Sequence, residues 1–426
     1  MPDSMSFARL AEKFFLPEFS NRLYHIDTVS LDFSGVDTVG IYIHVPFCNS
    51  LCPYCPYDRV LYNSELMARY VNALKREILL KSSLMKNVRI SSVYIGGGTP
   101  TTAMKYFPDV MKMFKKHFDL SGGIFIETNP QDITPEKLQS LKKMGVSMIS
   151  IGVQSFQDKY LRLIGRNYDR AIAKRAVKIA RNYFDNINID LMFALPNQTL
   201  TDFYSDLKEA SALGVNQITA YPLFTFPYSS AGRFLRVKNV KLPNFFVRKK
   251  MFELMRDFLT SEGFYPVSVW GFKRGSLPEF SSVSRIYYVG FGPSAATKLK
   301  NALYMNTFSV NRYVERLFEG RFAEVVKMDF TDLMDDYYYF YWKLYETRVP
   351  KLEFDEMFCC GIKKRAKALM SLLICFGMAK EEDNYYALTK RGMFYVHLMQ
   401  NHFSMNYISE IWQQMMENPE PEEIIL

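Results

Sequence analysis

Six apolar, β-rich runs alternate with helix-like segments between residues 38 and 225. A strand, a helix and a further strand at this spacing indicate βαβ units, whose right-handed connections wind into a parallel sheet. Six units predict an α/β fold with a partial (βα)6 barrel, and they place functional groups at the carboxyl ends of the strands. The runs are Val39–Val45, Ser92–Ile95, Ile124–Glu127, Met148–Val153, Ile187–Ala194 and Gln217–Leu223.

The intervening segments carry helix start and stop signals. Ser64 is predicted to cap the first helix. Thr134 is predicted to cap the third, with Pro135 at its first position and Gly145 closing it. These local signals support the strand–helix alternation.

The pattern changes after residue 225. We expect an N-terminal extension over 1–37, the core barrel over 38–225, a substrate-covering barrel extension over 226–330 and a C-terminal region over 331–426. Helical Tyr337–Tyr345 and Lys363–Phe376, followed by a hairpin near Asn384–Thr389, make that last region winged-helix-like α/β.

The charge balance and the apolar runs narrow the class of protein. Lys and Arg number 53 against 44 Asp and Glu, a net charge of +9, which favours an anionic partner without naming one. The first residues lack a basic secretory leader, and no apolar run approaches the 18 to 20 residues of a membrane span. We expect a soluble, cytoplasmic protein.

Three of the six cysteines, Cys48, Cys52 and Cys55, form a C-x3-C-x2-C cluster after the first predicted strand. Such clustering in a long chain predicts a metal site in a reducing compartment. A four-iron cluster takes one thiolate per iron, so three thiolates leave one iron open to an exogenous ligand. The alternative is a zinc site with His44 as the fourth ligand.

Several segments together resemble the radical S-adenosylmethionine (radical SAM) superfamily, and within it the oxygen-independent coproporphyrinogen III dehydrogenase-like branch. The resemblance extends over about residues 38 to 300, and each segment falls at or just after a predicted strand. The segments are GIYIHVPFCNSLCPYCPYDR (40–59), YIGGGTP (94–100), ETNP (127–130), SIGVQSF (150–156), IGR (164–166) and IDLMFALPNQT (189–199).

The resemblance implies a [4Fe–4S] cluster on the three cysteines, with SAM chelating the fourth iron and being cleaved to methionine and a 5′-deoxyadenosyl radical. Tyr42 would lie beside the cluster and SAM, and Tyr57 near the adenine. The place of His44, two residues after Tyr42 and four before Cys48, indicates by itself that His44 positions the loop, with proton transfer as the alternative role. The remaining SAM contacts would come from Gly97, Gly98 and Thr99 at the methionyl amino group, and from Glu127, Gln154, Arg166 and Asp190 at the amino-acid and ribose groups.

The sequence departs from the branch at two places, and these departures argue against two of the functions found in it. Pro56 and Tyr57 stand where the coproporphyrinogen dehydrogenases have a small residue and a fourth cysteine, and Asn301–Asn306 lacks the His and Trp of the haem-chaperone motif. The remaining members are methyltransferases and haem-degrading enzymes, thought to bind two SAM molecules, and Tyr288–Ala296 resembles their Gly-rich stretch beside the second one. We therefore expect methyl transfer, or a related modification of an aromatic or tetrapyrrole substrate. The alternative is a coproporphyrinogen III dehydrogenase or haem-binding chaperone, and the expected electron donor is a flavodoxin or ferredoxin.

Two further patterns allow more than one interpretation. Tyr221, Phe224, Phe226 and Tyr228 follow the sixth run and are either core or a stacking surface for a flat ring. The basic residues of Ile362–Leu373 admit a DNA-binding regulator. A regulator does not need six βα units with a set of SAM motifs, so we expect no nucleic-acid partner.

Overall fold

A computed structural model of the protein describes residues 22–230, 232, 242–279, 281, 286–353 and 360–426, with the backbone alone for 360–365. The strands are β1 Arg22–His25, β2 Thr38–Val45, β3 Phe47–Cys48, β4 Val60–Leu61, β5 Arg89–Gly97, β6 Asp119–Leu120, β7 Ile124–Thr128, β8 Val146–Gln154, β9 Ile187–Phe193, β10 Gln217–Pro222, β11 Tyr265–Pro266, β12 Gly271–Lys273, β13 Tyr288–Phe291, β14 Ala296–Leu299, β15 Ala302–Asn306, β16 Glu324–Asp329, β17 Arg348–Pro350, β18 Ala379–Glu381, β19 Tyr385–Leu388 and β20 Glu423–Ile425.

The α-helices surround the sheet, and 3₁₀ turns at Pro100–Ala103 and Pro130–Asp132 follow two of the central strands. The α-helices are α1 Ser64–Leu84, α2 Phe107–His117, α3 Pro135–Lys143, α4 Asp158–Leu163, α5 Arg170–Ala180, α6 Leu200–Ala212, α7 Phe245–Ser261, α8 Val310–Phe318, α9 Asp332–Tyr345, α10 Cys360–Cys375, α11 Lys390–Phe403 and α12 Ser409–Glu417.

The six predicted runs form six parallel strands. β2, β5, β7, β8, β9 and β10 lie side by side in chain order, so the predicted α/β fold with its (βα)6 core is confirmed. Each is apolar nearly throughout because helices cover one face and the interior of the curved sheet the other. The carboxyl ends of all six strands therefore meet at one edge.

The sheet continues beyond these six strands on both sides. β13 pairs with β2 in parallel, with Val289 opposite Ile41, and leads to the antiparallel strands β14, β15 and β16. β12 adds to the far edge, antiparallel to β10. β1 and β20 pair with each other beside β16, so strands from both ends of the described chain join the same sheet. The domain boundaries at 37, 225 and 330 stay a prediction.

The helix-start signals were right for the third helix and wrong by one residue for the first. Asn63, rather than Ser64, caps α1, because its side-chain oxygen accepts a hydrogen bond from Leu66 N at 2.9 Å. Thr134 caps α3 through Lys137 N, and Gly145 follows with a φ of +85°. Asn and Ser are nearly equal as caps, so propensity alone could not choose between neighbours.

The C-terminal region has the predicted winged-helix-like order. α9, α10 and the β18–β19 hairpin follow one another, and β17 adds a third strand to the hairpin. Three of its predicted basic side chains, Lys363, Lys364 and Arg365, lie outside the described residues. Within the described part of the chain, no helix combines the length and apolar character needed to cross a bilayer.

Candidate active site

The three clustered cysteines follow β2 closely: Cys48 ends the short strand β3, and Cys52 and Cys55 lie on the loop after it. Arg59 closes this loop, donating hydrogen bonds to the carbonyl oxygens of Cys52 at 2.7 Å and Tyr57 at 3.0 Å. Cys48, Cys52 and Cys55 are all free thiols and all line one cavity of about 330 Å³. The strand end, the short chain spacing and Arg59 together bring the three cysteines to the wall of one cavity.

The glycine run after β5 packs directly against the cysteine loop. Gly98 N donates to Val45 O and Thr99 N donates to Phe47 O, both at 2.8 Å. A Cβ on Gly98 would lie 2.7 Å from Phe47 O and 2.9 Å from Cys48 Sγ. Gly97, Gly98 and Thr99 line the cavity, and their contact with SAM stays a prediction. The hydrogen bonds of Gly98 and Thr99 also hold the loop, which the sequence did not reveal.

Tyr42, which is half-buried, and His44, which is buried, form a hydrogen-bonded pair next to the loop. Asp58 O can only accept, so His44 Nε2 donates to it at 2.9 Å, and His44 Nδ1 therefore accepts from the Tyr42 hydroxyl, also at 2.9 Å. Burial lowers the pKa of His44 to about 4, which keeps the ring neutral at pH 7. This arrangement supports the expected role of His44 in positioning the loop, and it places Tyr42 in a second cavity rather than the first.

Glu127, near the end of β7, and Asp190, in the middle of β9, supply two carboxyl groups to the first cavity. Glu127 accepts hydrogen bonds from the Tyr94 hydroxyl and from Gly97 N. Asp190 accepts from Ser150 Oγ and Asn188 Nδ2, each at 2.8 Å. Burial raises the pKa of Glu127 to about 7 and that of Asp190 to about 6.

Gln154 and Arg166 complete the predicted polar set. Gln154 ends β8 with a φ of +69°, a strained conformation for a non-glycine residue, and its Oε1 accepts from the Tyr221 hydroxyl at 2.9 Å. Arg166 lies with its guanidinium over the rings of Tyr54 and Tyr168, 5.6 and 5.7 Å from their centroids. Its Nε is buried without a hydrogen-bond partner in the described chain, so it is available to an anionic ligand group.

The two tyrosines of the cysteine loop, Tyr54 and Tyr57, differ in their burial and in the cavities that they line. Tyr54, which the sequence did not single out, is buried and lines the first cavity beside Cys52. Tyr57, predicted to lie near the adenine, is 44% exposed, packs against Trp412 and forms part of the wall between both cavities. The position of Tyr54 between Cys52 and Cys55 is a local signal that could have drawn attention to it.

The residues present fit a four-iron cluster better than a single zinc ion. No three His, Cys, Asp or Glu side chains within the described ranges are grouped to hold one metal ion. A [4Fe–4S] cluster instead takes one thiolate on each of three separate irons. His44, the fourth ligand of the zinc alternative, already uses both ring nitrogens in hydrogen bonds. The missing side chain at Gly98 leaves the space beside Cys48 Sγ that a Cβ would fill.

A second cavity of about 230 Å³ adjoins the first, and Tyr57, Gly97 and Glu127 line both. Tyr288, Ser294 and Ala296 line it, which places the predicted second Gly-rich stretch at its wall. Asp58 also lines it; burial raises the pKa of its carboxyl to about 7, while Arg59 acts in the opposite direction.

Of the aromatic residues at and after the end of β10, some line the first cavity and others pack elsewhere. Tyr221 and Phe224 line the first cavity and stack with their ring centroids 6.4 Å apart. Phe226 instead packs on Trp412. Trp270, Gly271 and Ser281 also line the first cavity.

Comparisons with known proteins agree with this geometry. The sequence pattern of the radical SAM superfamily matches residues 42–210. The heme chaperone HemW of Bacillus subtilis is 29% identical over 290 residues, covering 66% of this chain and 76% of HemW. The oxygen-independent coproporphyrinogen III oxidase of Escherichia coli is 29% identical over 241 residues, 55% of this chain and 52% of the oxidase. The solved structure of E. coli coproporphyrinogen III oxidase (HemN) superposes with a TM-score of 0.73 at 21% identity, covering 87% of this chain and 91% of that one.

The parallel core with its cysteine loop, glycine run and polar strand ends defines a radical SAM protein, whose cofactors are a [4Fe–4S] cluster and SAM. Residues 42–210 therefore form a radical SAM domain. The relatives and the shared fold support the oxygen-independent coproporphyrinogen III dehydrogenase-like branch and a radical SAM enzyme of the HemN and HemW type.

Proposed function

We propose that this enzyme cleaves SAM in the first cavity and uses the resulting radical for methyl transfer, or a related modification, on an aromatic or tetrapyrrole substrate. A second SAM molecule occupies the second cavity. The observation that carries this proposal is the pair of adjoining cavities, which share Tyr57, Gly97 and Glu127 and thus bring two ligands within reach of each other.

The chain's own residues bind and orient the first SAM. Arg166, with its unpaired Nε, receives the carboxylate, and Glu127 receives the amino group. Asp190, held by Ser150 and Asn188, accepts from the ribose hydroxyls, and the buried ring of Tyr54 packs on the adenine. When bound, the reduced cluster on Cys48, Cys52 and Cys55 supplies the electron that breaks the S–C5′ bond of SAM.

The aromatic side chains favour a flat substrate. Tyr221 and Phe224 present stacked rings in the first cavity, and Trp270 lies edge-on to Phe224 at 5.6 Å. Such rings bind flat π-systems and exclude water from a reactive radical. A flavodoxin or ferredoxin is the proposed electron donor.

A second candidate function rests on the relatives. Proteins that resemble this chain include heme chaperones and oxygen-independent coproporphyrinogen III oxidases. Against these functions, Tyr57 occupies the position of the fourth cysteine, and Asn306 of the segment nearest the haem motif is fully buried and bonded to Glu77 and Gly292.

Product analysis distinguishes the candidates. The anaerobically reconstituted protein would receive SAM, dithionite and coproporphyrinogen III, and 5′-deoxyadenosine, S-adenosylhomocysteine and porphyrin products would be quantified by mass spectrometry. Both nucleoside products with a methylated acceptor would support the proposal. Deoxyadenosine with a decarboxylated porphyrinogen would replace methyl transfer by the oxidase reaction.

A Soret titration with haem completes the test. If neither nucleoside product forms and haem binds stoichiometrically, the chaperone function replaces the enzymatic one. Cys48→Ala serves as the inactive control and the exposed Cys375→Ala as the matched cysteine control.

A further inference from the structure

The wall of the first cavity includes a tryptophan whose one polar atom is bonded to a helix of the C-terminal region. Trp270 lies between β11 and β12 and lines the first cavity. Its indole Nε1 donates a hydrogen bond of 2.8 Å to Nδ1 of His397, on α11. Because an indole N–H can only donate, Nδ1 of His397 is the acceptor, and the neutral imidazole carries its proton on Nε2.

His397 is itself held in place by the aromatic rings around it. It is buried and stacks on Phe252 with a centroid distance of 4.7 Å and an interplanar angle of 20°. The rings of Phe193 and Phe394 lie 6.1 and 6.0 Å away. Burial, and after it the charge of Arg248, lowers the pKa of His397 to about 3, so Nδ1 keeps its lone pair for the indole at neutral pH.

The backbone that carries Trp270 is fixed on two sides. Trp270 O accepts a hydrogen bond from Ala220 N of β10 at 2.9 Å, and Val269 N donates to Tyr345 O of α9 at 3.0 Å. The indole can therefore reorient only by rotation of its side-chain torsion angles between separate rotamers. The bond to His397 selects one of these rotamers.

The orientation of the indole decides what this wall offers to a ligand. With Nε1 bonded to His397, the only polar atom of Trp270 is occupied within the protein, and its remaining surface is hydrocarbon. Phe224 and Tyr345 line the same cavity and lie edge-on to the indole, each with a centroid distance of 5.6 Å. If the acceptor were removed, the N–H would need another partner, since an unsatisfied donor is costly, and a ligand in the cavity could supply it.

We propose that His397 is a positioning residue that determines specificity: by accepting the hydrogen bond of Trp270, it makes this wall select an apolar flat ring over a ring that bears a hydrogen-bond acceptor. His397 does not itself line the first cavity, so it acts through Trp270. That this part of the cavity receives the substrate rests on the proposed function; the bond and the selectivity of the wall do not.

Exchange of the indole proton with solvent reports the hydrogen bond directly. The chain has three tryptophans, so protein labelled with ¹⁵N-tryptophan gives three indole signals, and the signal missing in Trp270→Phe belongs to Trp270. We expect slow exchange at Trp270 in the wild type and in His397→Asn, whose amide oxygen can accept in place of Nδ1. His397→Phe should exchange roughly tenfold faster or more. The signals of Trp342 and Trp412 are internal controls and should stay unchanged.

Two probes of the same shape report the selectivity. The reconstituted protein, saturated with SAM and without reductant, would be dialysed against naphthalene and against quinoline, which differ by one acceptor nitrogen. We expect the wild type, His397→Asn and the exposed-histidine control His117→Phe to prefer naphthalene by the same factor. In His397→Phe the ratio of the two dissociation constants should shift toward quinoline by roughly two- to tenfold, which is the effect of one neutral hydrogen bond. The shift should vanish when Trp270→Phe is added.

The outcomes separate a specificity role from a structural one. Fast exchange of the Trp270 indole proton in the wild type would overturn the proposal, and so would an equal loss of affinity for both probes in His397→Phe, which indicates loosened packing alone. If His397→Phe does not fold, His397→Leu replaces it, and the wild-type exchange rate still decides whether the bond exists. Absence of any methylated product, together with the expected exchange rates and probe ratios, would remove the proposed function and keep the role of His397.

Discussion

The contact between Gly98 and the cysteine loop predicts that one added methyl group will damage the cluster site. In Gly98→Ala the new Cβ would lie 2.7 Å from Phe47 O and 2.9 Å from Cys48 Sγ. Both distances are shorter than real Cβ atoms adopt. One neighbour is a backbone carbonyl already bonded to Thr99 N at 2.8 Å, so it cannot rotate away like a flexible side chain.

The magnitude follows from this geometry. The loop must shift by roughly half an ångström or more to restore ordinary contact, and overpacking of this kind costs about 1–3 kcal/mol in the free energy of unfolding. The φ of Gly98 lies outside the left-handed region, so the predicted cost is steric. Because the shift displaces Cys48, we also expect the iron content to fall well below that of the wild type.

The assay compares Gly98→Ala with Gly263→Ala after anaerobic reconstitution. Gly263 has a φ of +81° and nothing within 4 Å of a built Cβ, so it reports backbone strain, about 1–2 kcal/mol, without a clash. Iron, sulfide and absorbance near 400 nm report the cluster, and denaturant unfolding reports stability. A Gly98→Ala protein with full iron content and wild-type stability would refute the packing of the loop on the glycine run.

Three other predictions concern the cluster ligands, a buried ion pair and a titrating carboxyl. Replacement of Cys48, Cys52 or Cys55 by Ala should abolish the reconstituted cluster in iron analysis, whereas Cys375→Ala should retain it. Lys81 is fully buried between Glu77 and Glu324, and its Nζ lies 2.7 and 2.9 Å from their carboxyl oxygens. Lys81→Met should therefore lower the free energy of unfolding by about 3–5 kcal/mol, because it leaves two buried carboxylates without their cation. Replacement of the exposed Lys86 by Met should change that free energy by less than about 0.5 kcal/mol. Burial raises the pKa of Glu127 from 4.5 to about 7, so the folded state keeps the proton that the unfolded state loses. In the SAM-free protein, the stability of the wild type relative to Glu127→Gln should therefore fall between pH 4.5 and 7, by up to roughly 3 kcal/mol; a flat difference across that range would contradict the assignment.

The elements that sequence reasoning identified are those whose signals are local. Each central strand is a continuous apolar run because both of its faces are covered, and each run was visible without knowledge of its neighbours. β13 was not identified as part of the parallel sheet, because its pairing with β2 joins Val289 to Ile41 across most of the chain. No local pattern encodes such a contact.

The candidate site divides in the same way. Cys48, Cys52 and Cys55 were identified by spacing, and Glu127, Gln154, Arg166 and Asp190 by motifs at predicted strand ends; all seven line the first cavity. Sequence reasoning missed Tyr54 and Asp58, because they stand out only through their place at the wall of a cavity. Burial depends on every element packed around a residue, not on its chain neighbours.

The sequence by itself determined the parallel core, because apolar periodicity acts over a few residues, and it predicted the cysteine ligands from their spacing. Only the tertiary structure decided that Gly98 supports the cysteine loop, that Tyr57 lines two cavities, and that Asp58 lines the second with a buried Oδ2 to which no described residue donates a hydrogen bond. Those properties arise where segments distant in the chain meet, since steric contact, desolvation and unpaired charge exist only once the chain has folded.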